Sequence, residues 1–453
     1  MKAWKVAPAA SRRGWSRGEA LGWLEAHVNL EAVVGGTAPP PTLGRMVELT
    51  GLLGRPQEAY PVVHLTGTNG KGSTARMLTS LLSAKGLRVG TYTSPDLERL
   101  NERMAVAGEP ISDDELAEVL ARVADAEPAM AVPPSRFEIL TAAALSWFAD
   151  VAADVAVVEV GLGGRHDATN VVDAQVAAVT NVSLDHAEII GPTLADIASE
   201  KAGIVKPGST FVLGETDPPL RSVFLAEAEQ VGSGPVWERG VEWDCGDNRM
   251  AHGGRLCDLR TPGTTYPEVF VPLHGAHQGD NAAVALAAAE AFFAAPLDRE
   301  VVDQGFAAAR SPGRMEVVGR APLVVLDGAH NPAGAAAAAA TLDEELDVPG
   351  RRIVVVGLLR GRQPGEMLAA LGHERMSLVV ACRPPSPRAL APVEVVAAAR
   401  GLGVEAEVVA DVGRALDRAM AVAGEEDLVL VTGSLYVVGQ ARALLLGHGW
   451  HHD

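Results

Sequence analysis

Short apolar runs alternate with longer stretches of helical periodicity along most of the chain. Apolar runs that are bounded by turns and separated by helices are typical of parallel strands buried on both faces. In the first part of the chain, the pattern predicts strands at Val62 to Leu65, Arg88 to Tyr92, Val155 to Val160 and Val176 to Val182. It predicts a first helix that begins at a capping box of Ser16 and Glu19 and runs through Val28. After a loop at Gly35 to Pro41, a second helix is predicted to end at about Leu53. Further helices are predicted at Lys71 to Lys85 and at Glu138 to Phe148. This part is therefore predicted to hold a parallel sheet.

The pattern changes between Gly232 and Leu273, where short β-like pieces separated by turn residues predict a small antiparallel insert. A predicted helix at Asn281 to Phe293 follows, and the strand–helix alternation then restarts. The later predictions are strands at Leu323 to Leu326, Ile353 to Val356, Leu378 to Ala381 and Leu428 to Val431, and a helix over the alanine run Ala335 to Ala340. The predicted fold class is α/β: a P-loop-type, mostly parallel N-terminal domain with the insert (residues 1–310), and a Rossmann-like C-terminal domain (residues 311–453).

Length and composition agree with two domains in a cytoplasmic protein. The 453 residues exceed the usual size of one hydrophobic core. A net charge of -19 argues against nucleic acid or an anionic membrane as a partner. Three cysteines without CxxC spacing favour reduced thiols over disulfides or zinc. The basic start, Met1 to Arg17, has no apolar run behind it, and no stretch has the length of a membrane span.

A glycine-rich loop follows the first predicted strand and opens a helix. It reads Gly67-Thr68-Asn69-Gly70-Lys71-Gly72-Ser73-Thr74. Small residues let backbone N–H groups surround phosphate oxygens, and the helix N-terminus adds favourable charge. Lys71 would reach the β/γ-phosphates, and Ser73 or Thr74 could assist at Mg²⁺. The spacing is shorter than that of the standard P-loop motif, so a glycine-rich helix start without a ligand is the alternative.

Two side chains at strand ends are candidate metal ligands. Glu159 ends an apolar strand just before Gly161, and carboxyl ends of parallel strands form the edge where open α/β sheets bind ligands. His186 follows the strand that is predicted to end at Val182 and would lie over the same edge. A histidine by itself is more often structural, but beside a nucleotide loop and Glu159 a metal role is favoured.

Lys201 falls on a predicted apolar helix face. Leu194, Ile197, Ala198 and Lys201 have the i, i+3, i+4, i+7 spacing that places them on one buried stripe. A buried, unpaired ammonium costs several kcal/mol, so it needs a carboxylate partner or a chemical change. The alternative is a buried aliphatic stem with a solvated head group.

Together these segments resemble the folylpolyglutamate synthase/dihydrofolate synthase family of Mur-type ligases, in family order and over nearly the whole chain. The matching segments are His64 to Thr74, Thr93-Ser94-Pro95, Asn101-Glu102-Arg103, Phe137-Glu138, Glu159 to Asn170, Asp185-His186, Glu200 to Lys206, His277-Gln278, Asn281-Ala282, Pro312-Gly313-Arg314 and Asp327 to Pro332.

The resemblance implies an ATP-dependent ligase that joins L-glutamate to a folate or dihydropteroate carboxylate through an acyl phosphate. The implied ATP-binding residues are Thr68, Asn69, Gly70, Lys71, Gly72, Ser73, Asn281, Arg314 and Asp327. The implied substrate residues are Phe137, Glu138, His166, Asp167, Ala168, His330 and Ser434, and the implied metal ligands are Ser94, Glu159 and His186. Lys71, Lys201 and His330 are the implied catalytic residues, with Lys201 carbamylated. Mg²⁺ (one or two ions), with K⁺ as an optional further cation, and a monomer are also expected.

Two departures from the family pattern leave other readings open. Asp96 stands where the family usually has His, and Arg360-Gly361-Arg362-Gln363 stands where it usually has Asp-Lys-Asp. The first bears on the pterin preference or the local metal geometry, and the second on glutamate binding or domain closure. The alternatives are a diverged Mur-type ligase with another carboxylate and amino acid, and a non-catalytic ATP-binding protein. Whether one enzyme has both activities stays open from sequence, although both are expected.

Overall fold

The computed structural model describes residues 14–29 and 43–447. The loop predicted at residues 35–41 and most of the basic start lie outside this part. The helices are α1 (Arg17–Glu25), α2 (Gly44–Leu52), α3 (Lys71–Ala84), α4 (Asp113–Ala126), α5 (Arg136–Asp150), α6 (Ala187–Ile190), α7 (Leu194–Ala202), α8 (Pro218–Val231), α9 (Ala276–Phe293), α10 (Arg299–Ala308), α11 (Pro332–Glu345), α12 (Pro364–Ala370), α13 (Pro392–Gly401), α14 (Val412–Val422) and α15 (Leu435–Leu446).

The strands belong to three sheets within the described residues. They are β1 (Val62–Thr66), β2 (Val89–Tyr92), β3 (Met104–Val106), β4 (Glu109–Pro110), β5 (Val155–Glu159), β6 (Val176–Val179), β7 (Thr210–Leu213), β8 (Val236–Glu238), β9 (Asp244–Ala251), β10 (Gly254–Arg260), β11 (Thr265–Val271), β12 (Glu316–Arg320), β13 (Leu323–Leu326), β14 (Arg352–Val356), β15 (Met376–Ala381), β16 (Ala406–Val408) and β17 (Leu428–Thr432).

The large N-terminal sheet has the order β4-β3-β2-β5-β1-β6-β7-β8. Its strands run parallel from β2 to β8, and the β3–β4 hairpin adds antiparallel strands at one edge. Every residue of β1, β2, β5 and β6 is buried, as expected for strands that are covered by helices on both faces. The carboxyl ends of these strands therefore meet at one edge of the sheet.

The C-terminal sheet has the order β12-β13-β17-β14-β15-β16, with antiparallel β12 at one edge and the remaining strands parallel. Helices cover it on both sides through two clusters of buried apolar residues. The carboxyl ends of β13, β14 and β17 face those of the N-terminal sheet, and the functional cleft lies between the two edges. None of the described helices is long and apolar enough to cross a bilayer.

The predicted α/β fold class is confirmed, with several local corrections. The antiparallel insert is present as β11-β10-β9, but β8 joins the large sheet instead. Helix α1 ends at Glu25, because Ala26 and His27 form a turn and a bend, and Val28 beyond them is exposed. Helix α9 begins five residues before Asn281, at Ala276. The boundary at Arg310 stays a prediction.

Candidate active site in the interdomain cleft

The glycine-rich loop after β1 is held by the strand beside it. Thr180 Oγ1 donates a hydrogen bond to Asn69 O at 2.6 Å, and Asn181 exchanges bonds of 3.0 Å with the Asn69 backbone. A Cβ on Gly67 would lie 1.8 Å from Thr180 Oγ1, and that glycine has a φ of 153°. Only glycine fits this close approach. The loop is therefore a fixed cradle that leads into the N-terminus of α3.

Lys71 lies at the first position of α3 and folds back over the loop. Its ammonium donates to Gly67 O at 3.0 Å and to Thr68 O at 3.2 Å. The backbone N–H groups of this first helical turn have no partner within the helix, so they favour an anion. Lys71 and these N–H groups together make an anion-binding site at the carboxyl end of β1.

Glu159 ends β5 beside this anion-binding site. Its buried carboxylate accepts the Ser94 backbone N–H at 3.2 Å, and a Cβ on Gly72 would lie 3.5 Å from Glu159 Oε2. Burial raises the pKa of Glu159, although the nearby charge of Lys71 acts in the opposite direction. A buried carboxylate next to a phosphate cradle is an oxygen ligand of the kind that Mg²⁺ prefers.

Lys201 reaches the same loop from α7. Only 4% of the residue is exposed, and its ammonium donates to Gly67 O at 2.8 Å. Burial, followed by the charge of Lys71, lowers the pKa of Lys201 to about 7. The predicted buried stripe holds for Ile197 and Ala198, but the expectation for Leu194 was wrong, because it lies in the exposed first turn of the helix.

A second polar cluster in the cleft is built around Asp185, next to the phosphate loop. Its Oδ2 accepts from Asn331 Nδ2 at 3.1 Å and lies 3.5 Å from His330 Nε2, while its Oδ1 accepts from the guanidinium of Arg362. The same guanidinium lies 3.4 Å from His186 Nε2. Burial works to raise the pKa of Asp185, but His330, His186 and Arg362 hold it well below its usual range. Burial also lowers the pKa of His186 to about 4.

The C-terminal domain adds further polar groups to the cleft. Asn331 also donates to Asn69 Oδ1 at 3.0 Å, so the N-cap of α11 touches the phosphate loop. Asp327 Oδ1 and Oδ2 accept from the backbone N–H groups of Ala329 and Met315, which holds Asp327 at the carboxyl end of β13. Ser73 Oγ lies 2.9 Å from Ser311 Oγ, a contact between α3 and the segment that joins the domains.

Most of the predicted site residues meet in this cleft. Those that line it are Thr68, Asn69, Gly70, Lys71, Gly72, Ser73, Ser94, Glu159, His186, Lys201, Asn281, Arg314, Asp327 and His330. Sequence reasoning did not assign a role to several other residues at the cleft or its edge, namely Asp185, Asn181, Asn331 and Arg362. Asp185 could have been found, because it stands next to His186 at the end of the same strand.

The remaining predicted substrate residues do not line the cleft. Phe137 packs behind it, where a Cβ on Gly161 would lie 2.4 Å from the Phe137 ring. Glu138 is paired with Arg45 at 2.9 Å, and Asp167 accepts the backbone N–H of Leu162 at 2.9 Å.

His166, Ala168 and Ser434 are the other three predicted substrate residues outside the cleft lining, and each has local contacts that account for its position. His166 pairs with Glu200 at 3.1 Å, and Ala168 is buried in the short helical turn that follows Asp167. Ser434 caps α15 by accepting the N–H of Val437. The predicted pterin-side residues therefore lie around the glycine segment 161–164 without lining the cleft.

The predicted metal ligands fit a cation at one end of the cleft only. Glu159 and Ser94 face the phosphate cradle, so they suit a divalent ion that accompanies a nucleotide. His186 has its Nε2 directed at the Arg362 guanidinium, which occupies the lone pair that a metal would need. No group of three or more His, Cys, Asp or Glu that could hold a metal occurs among residues 14–29 and 43–447.

Two family models match the chain, and they cover both halves of the cleft. The Mur ligase middle domain matches residues 65–289, and the Mur ligase glutamate ligase domain matches residues 313–435. A phosphate cradle on one parallel sheet that faces a second α/β domain across a cleft is therefore the arrangement of a Mur-type ligase.

Within the Mur ligases, the chain belongs to the dihydrofolate synthase/folylpolyglutamate synthase family. It is 40% identical over 445 residues to a Mycobacterium tuberculosis dihydrofolate synthase/folylpolyglutamate synthase, with 89% of this chain and 90% of the relative covered. A folylpolyglutamate synthase structure from the same organism, complexed with ADP, superposes with a TM-score of 0.88 at 37% identity, covering 95% and 98% of the two chains. A bifunctional Yersinia pestis enzyme complexed with AMPPNP and a Mn ion gives a TM-score of 0.82 at 31% identity, also covering 95% and 98%.

Proposed function

We propose that this protein uses ATP to ligate L-glutamate to the carboxylate of dihydropteroate and of folates. The observation that carries the proposal is the meeting of Lys71, Glu159 and Lys201 with Arg314 and Asp327 of the second domain in one cleft. The names of the relatives support both activities, and their complexes with ADP and with AMPPNP support a nucleotide in the cleft.

The reaction begins with activation of a poor electrophile. The acceptor carboxylate attacks the γ-phosphorus of ATP, which gives an acyl phosphate and ADP. Lys71 and the N-terminal N–H groups of α3 neutralise the charge that develops on the transferred phosphoryl group. Mg²⁺ held at Glu159 and Ser94 would supply further charge neutralisation there. The amine of glutamate then attacks the acyl carbon, which forms the amide and releases phosphate.

Both domains contribute residues to the proposed substrate sites. Arg314, Asp327 and Asn281 hold the nucleotide, His330 faces the incoming glutamate, and Ser434 acts indirectly by capping α15. Phe137, Glu138, His166, Asp167 and Ala168 shape the pterin side around the segment 161–164. Because the groups come from both domains, closure of the cleft excludes water from the acyl phosphate. The protein acts as a monomer in this proposal.

Lys201 is proposed to act as a carbamate. Its lowered pKa leaves a large neutral fraction near pH 7, and a neutral amine is the form that reacts with CO₂. The product carries a negative charge, which suits a position close to Lys71 and a bound cation. Incubation with ¹³C-bicarbonate should give a carbamate carbon signal by NMR. The signal should be lost in Lys201→Arg and kept in Lys206→Arg, in which a half-buried lysine is replaced as the control. A signal that survives Lys201→Arg would contradict the assignment.

The test of the function is phosphate release coupled to mass spectrometry of the products. The purified chain receives Mg-ATP and L-glutamate with dihydropteroate, with tetrahydrofolate, or with no acceptor. Glutamylated product from both acceptors would establish both activities. The same assay with and without K⁺ in the buffer tests whether K⁺ is needed. Product from tetrahydrofolate alone would restrict the enzyme to tail extension. No product from either acceptor, with nucleotide still bound, would favour the diverged ligase.

Asp96 is the first residue to examine if dihydropteroate is rejected. It lies 2.5 Å from the buried guanidinium of Arg103, so it fixes the loop that carries Ser94 and Pro95. Asp96→His would restore the residue that the family usually has. A gain of activity with dihydropteroate in that variant would assign the rejection to Asp96.

A further inference from the structure

Arg362 belongs to the C-terminal domain, and its side chain contacts residues of the N-terminal domain in the cleft. It lies in the loop between β14 and α12, and its side chain is 14% exposed. One guanidinium nitrogen donates to Asp185 Oδ1, and the other lies 3.4 Å from His186 Nε2. The planar guanidinium of Arg362 therefore contacts one polar atom of Asp185 and one of His186. Arginine suits this arrangement because its N–H donors form a rigid fork.

The other groups around Asp185 already engage its second carboxylate oxygen. Asp185 Oδ2 already accepts from Asn331 at 3.1 Å and faces His330 at 3.5 Å. A divalent ion bound to Asp185 Oδ1 and His186 Nε2 would compete with Arg362 for both atoms, and His186 Nε2 has only one lone pair to offer. It would also lie within a few ångströms of a guanidinium, where like charges repel strongly in a partly buried site.

We propose that Arg362 supplies the positive charge at the Asp185–His186 end of the cleft and thereby excludes a second divalent cation. Glu159 and Ser94 then hold the one divalent ion that accompanies the nucleotide, and removal of Arg362 opens a second cation site at Asp185 and His186. The inference deepens the proposed function, on which it rests for the nucleotide, and it makes Arg362 a positioning residue.

Counting bound Mn²⁺ by electron paramagnetic resonance tests this directly, because free aqueous Mn²⁺ gives a signal that bound Mn²⁺ loses. The full chain is titrated with Mn²⁺ in the presence of ADP. One bound Mn²⁺ per chain is expected for the native protein, and a second is expected for Arg362→Ala. Two ions on the native protein, or one on Arg362→Ala, would overturn the proposal.

Further variants separate charge from folding. Arg360→Ala is the matched control: Arg360 is exposed in the same loop, and its backbone N–H bonds to Arg388 O. It should bind one ion, as should Arg362→Lys, which keeps the charge. A second ion on Arg362→Lys would contradict an effect of charge. His186→Ala combined with Arg362→Ala should return to one ion, and a second ion that persists there would place the new site elsewhere and overturn the proposal.

This measurement is independent of turnover. If the native chain binds one Mn²⁺ with ADP and Arg362→Ala binds two, the inference about Arg362 stands even when no glutamate is ligated. The absence of ligation would then count against the proposed function alone. If ligation is observed but both chains bind the same number of ions, the inference about Arg362 fails and the function stands.

Discussion

The phosphate-loop end of the cleft and the Asp185–His186 end are held together by different kinds of contact. At the first end, backbone atoms of Gly67 and Asn69 are fixed by residues of the same sheet, and Lys71 bonds to its own loop. At the second end, side chains from two domains pair with one another, and Arg362 joins Asp185 across the cleft.

This difference separates a preformed site from one that depends on domain position. The phosphate cradle has its shape because glycines allow the chain to pass close to Thr180 and Asn281. The Asp185 end exists only while the C-terminal domain holds Asn331 and Arg362 against it. We therefore expect changes at the first end to act on chemistry, and changes between the domains to act on closure and stability.

The largest effect is expected from Lys71→Ala. Because the ammonium neutralises charge on the transferred phosphoryl group, its loss should lower kcat by about 10²–10³-fold. Steady-state phosphate release with saturating glutamate measures this. Lys85→Ala is the control, since Lys85 is exposed at the other end of α3 and pairs with Asp298. Equal losses in both variants would show that Lys71 has no special role.

Glu159→Gln should have the next largest effect, and it tests the cation at the phosphate-loop end. An amide replaces the anionic ligand, so the Mg²⁺ concentration at half-maximal rate should rise by about 10–100-fold. Rate measurements over a Mg²⁺ titration give this value. The comparison is Glu200→Gln, whose carboxylate contacts His166 outside the cleft. An unchanged Mg²⁺ requirement in Glu159→Gln would move the metal elsewhere.

The burial of Lys201 predicts how the free energy of unfolding changes with pH. Folding lowers its pKa from 10.5 to about 7, so between these values the unfolded chain binds more protons and stability rises with pH. With bicarbonate removed, Lys201→Met should therefore be more stable than the native chain near pH 7 and should lose that advantage towards pH 10. Urea denaturation at a series of pH values measures the gap. A gap that does not change with pH would contradict the buried, neutral lysine.

The smallest effect is expected where Arg442 ties α15 to the N-terminal domain. Arg442 pairs with Glu98 of that domain and with Glu316 of its own. Arg442→Gln should lower the free energy of unfolding by about 1–3 kcal/mol, since charged hydrogen bonds of partly buried groups are lost. It should also raise the KM for glutamate without a comparable loss of kcat. Arg418→Gln, which breaks an exposed pair with Glu407, should change neither.

The residues that sequence reasoning placed correctly follow strands or begin helices. Glu159, Lys71 and Asp327 lie at the ends of buried strands or at the start of the next helix, and the carboxyl edge of a parallel sheet brings such positions together. Lys201 was found from helical spacing alone. The spacing of apolar side chains along a helix or strand predicts such positions, because it fixes which face of the element is buried.

The residues that sequence reasoning did not place depend on contacts between distant segments. Arg362 looked only like a departure from a family pattern, and nothing in its neighbours shows that it meets Asp185, 177 positions away in the chain. Phe137 and Asp167 stay predictions at the substrate, and in the structure they contact Gly161 and Leu162. Arg362 lies in a loop, where side-chain directions follow no sequence period, so no pattern could predict its contact with Asp185.

The amino-acid sequence by itself determined the α/β class, and it favoured the phosphate cradle and a place for Lys201 on a buried helix face. Each depends on local rules: apolar periodicity, the freedom of glycine, and the exposed N–H groups at a helix start. Only the tertiary structure decided that Arg362 stands against Asp185 and His186, and hence that the two ends of the cleft differ. That choice depends on how two separately formed sheets meet, which is set by side-chain packing and charge pairing across the interface rather than by any single segment.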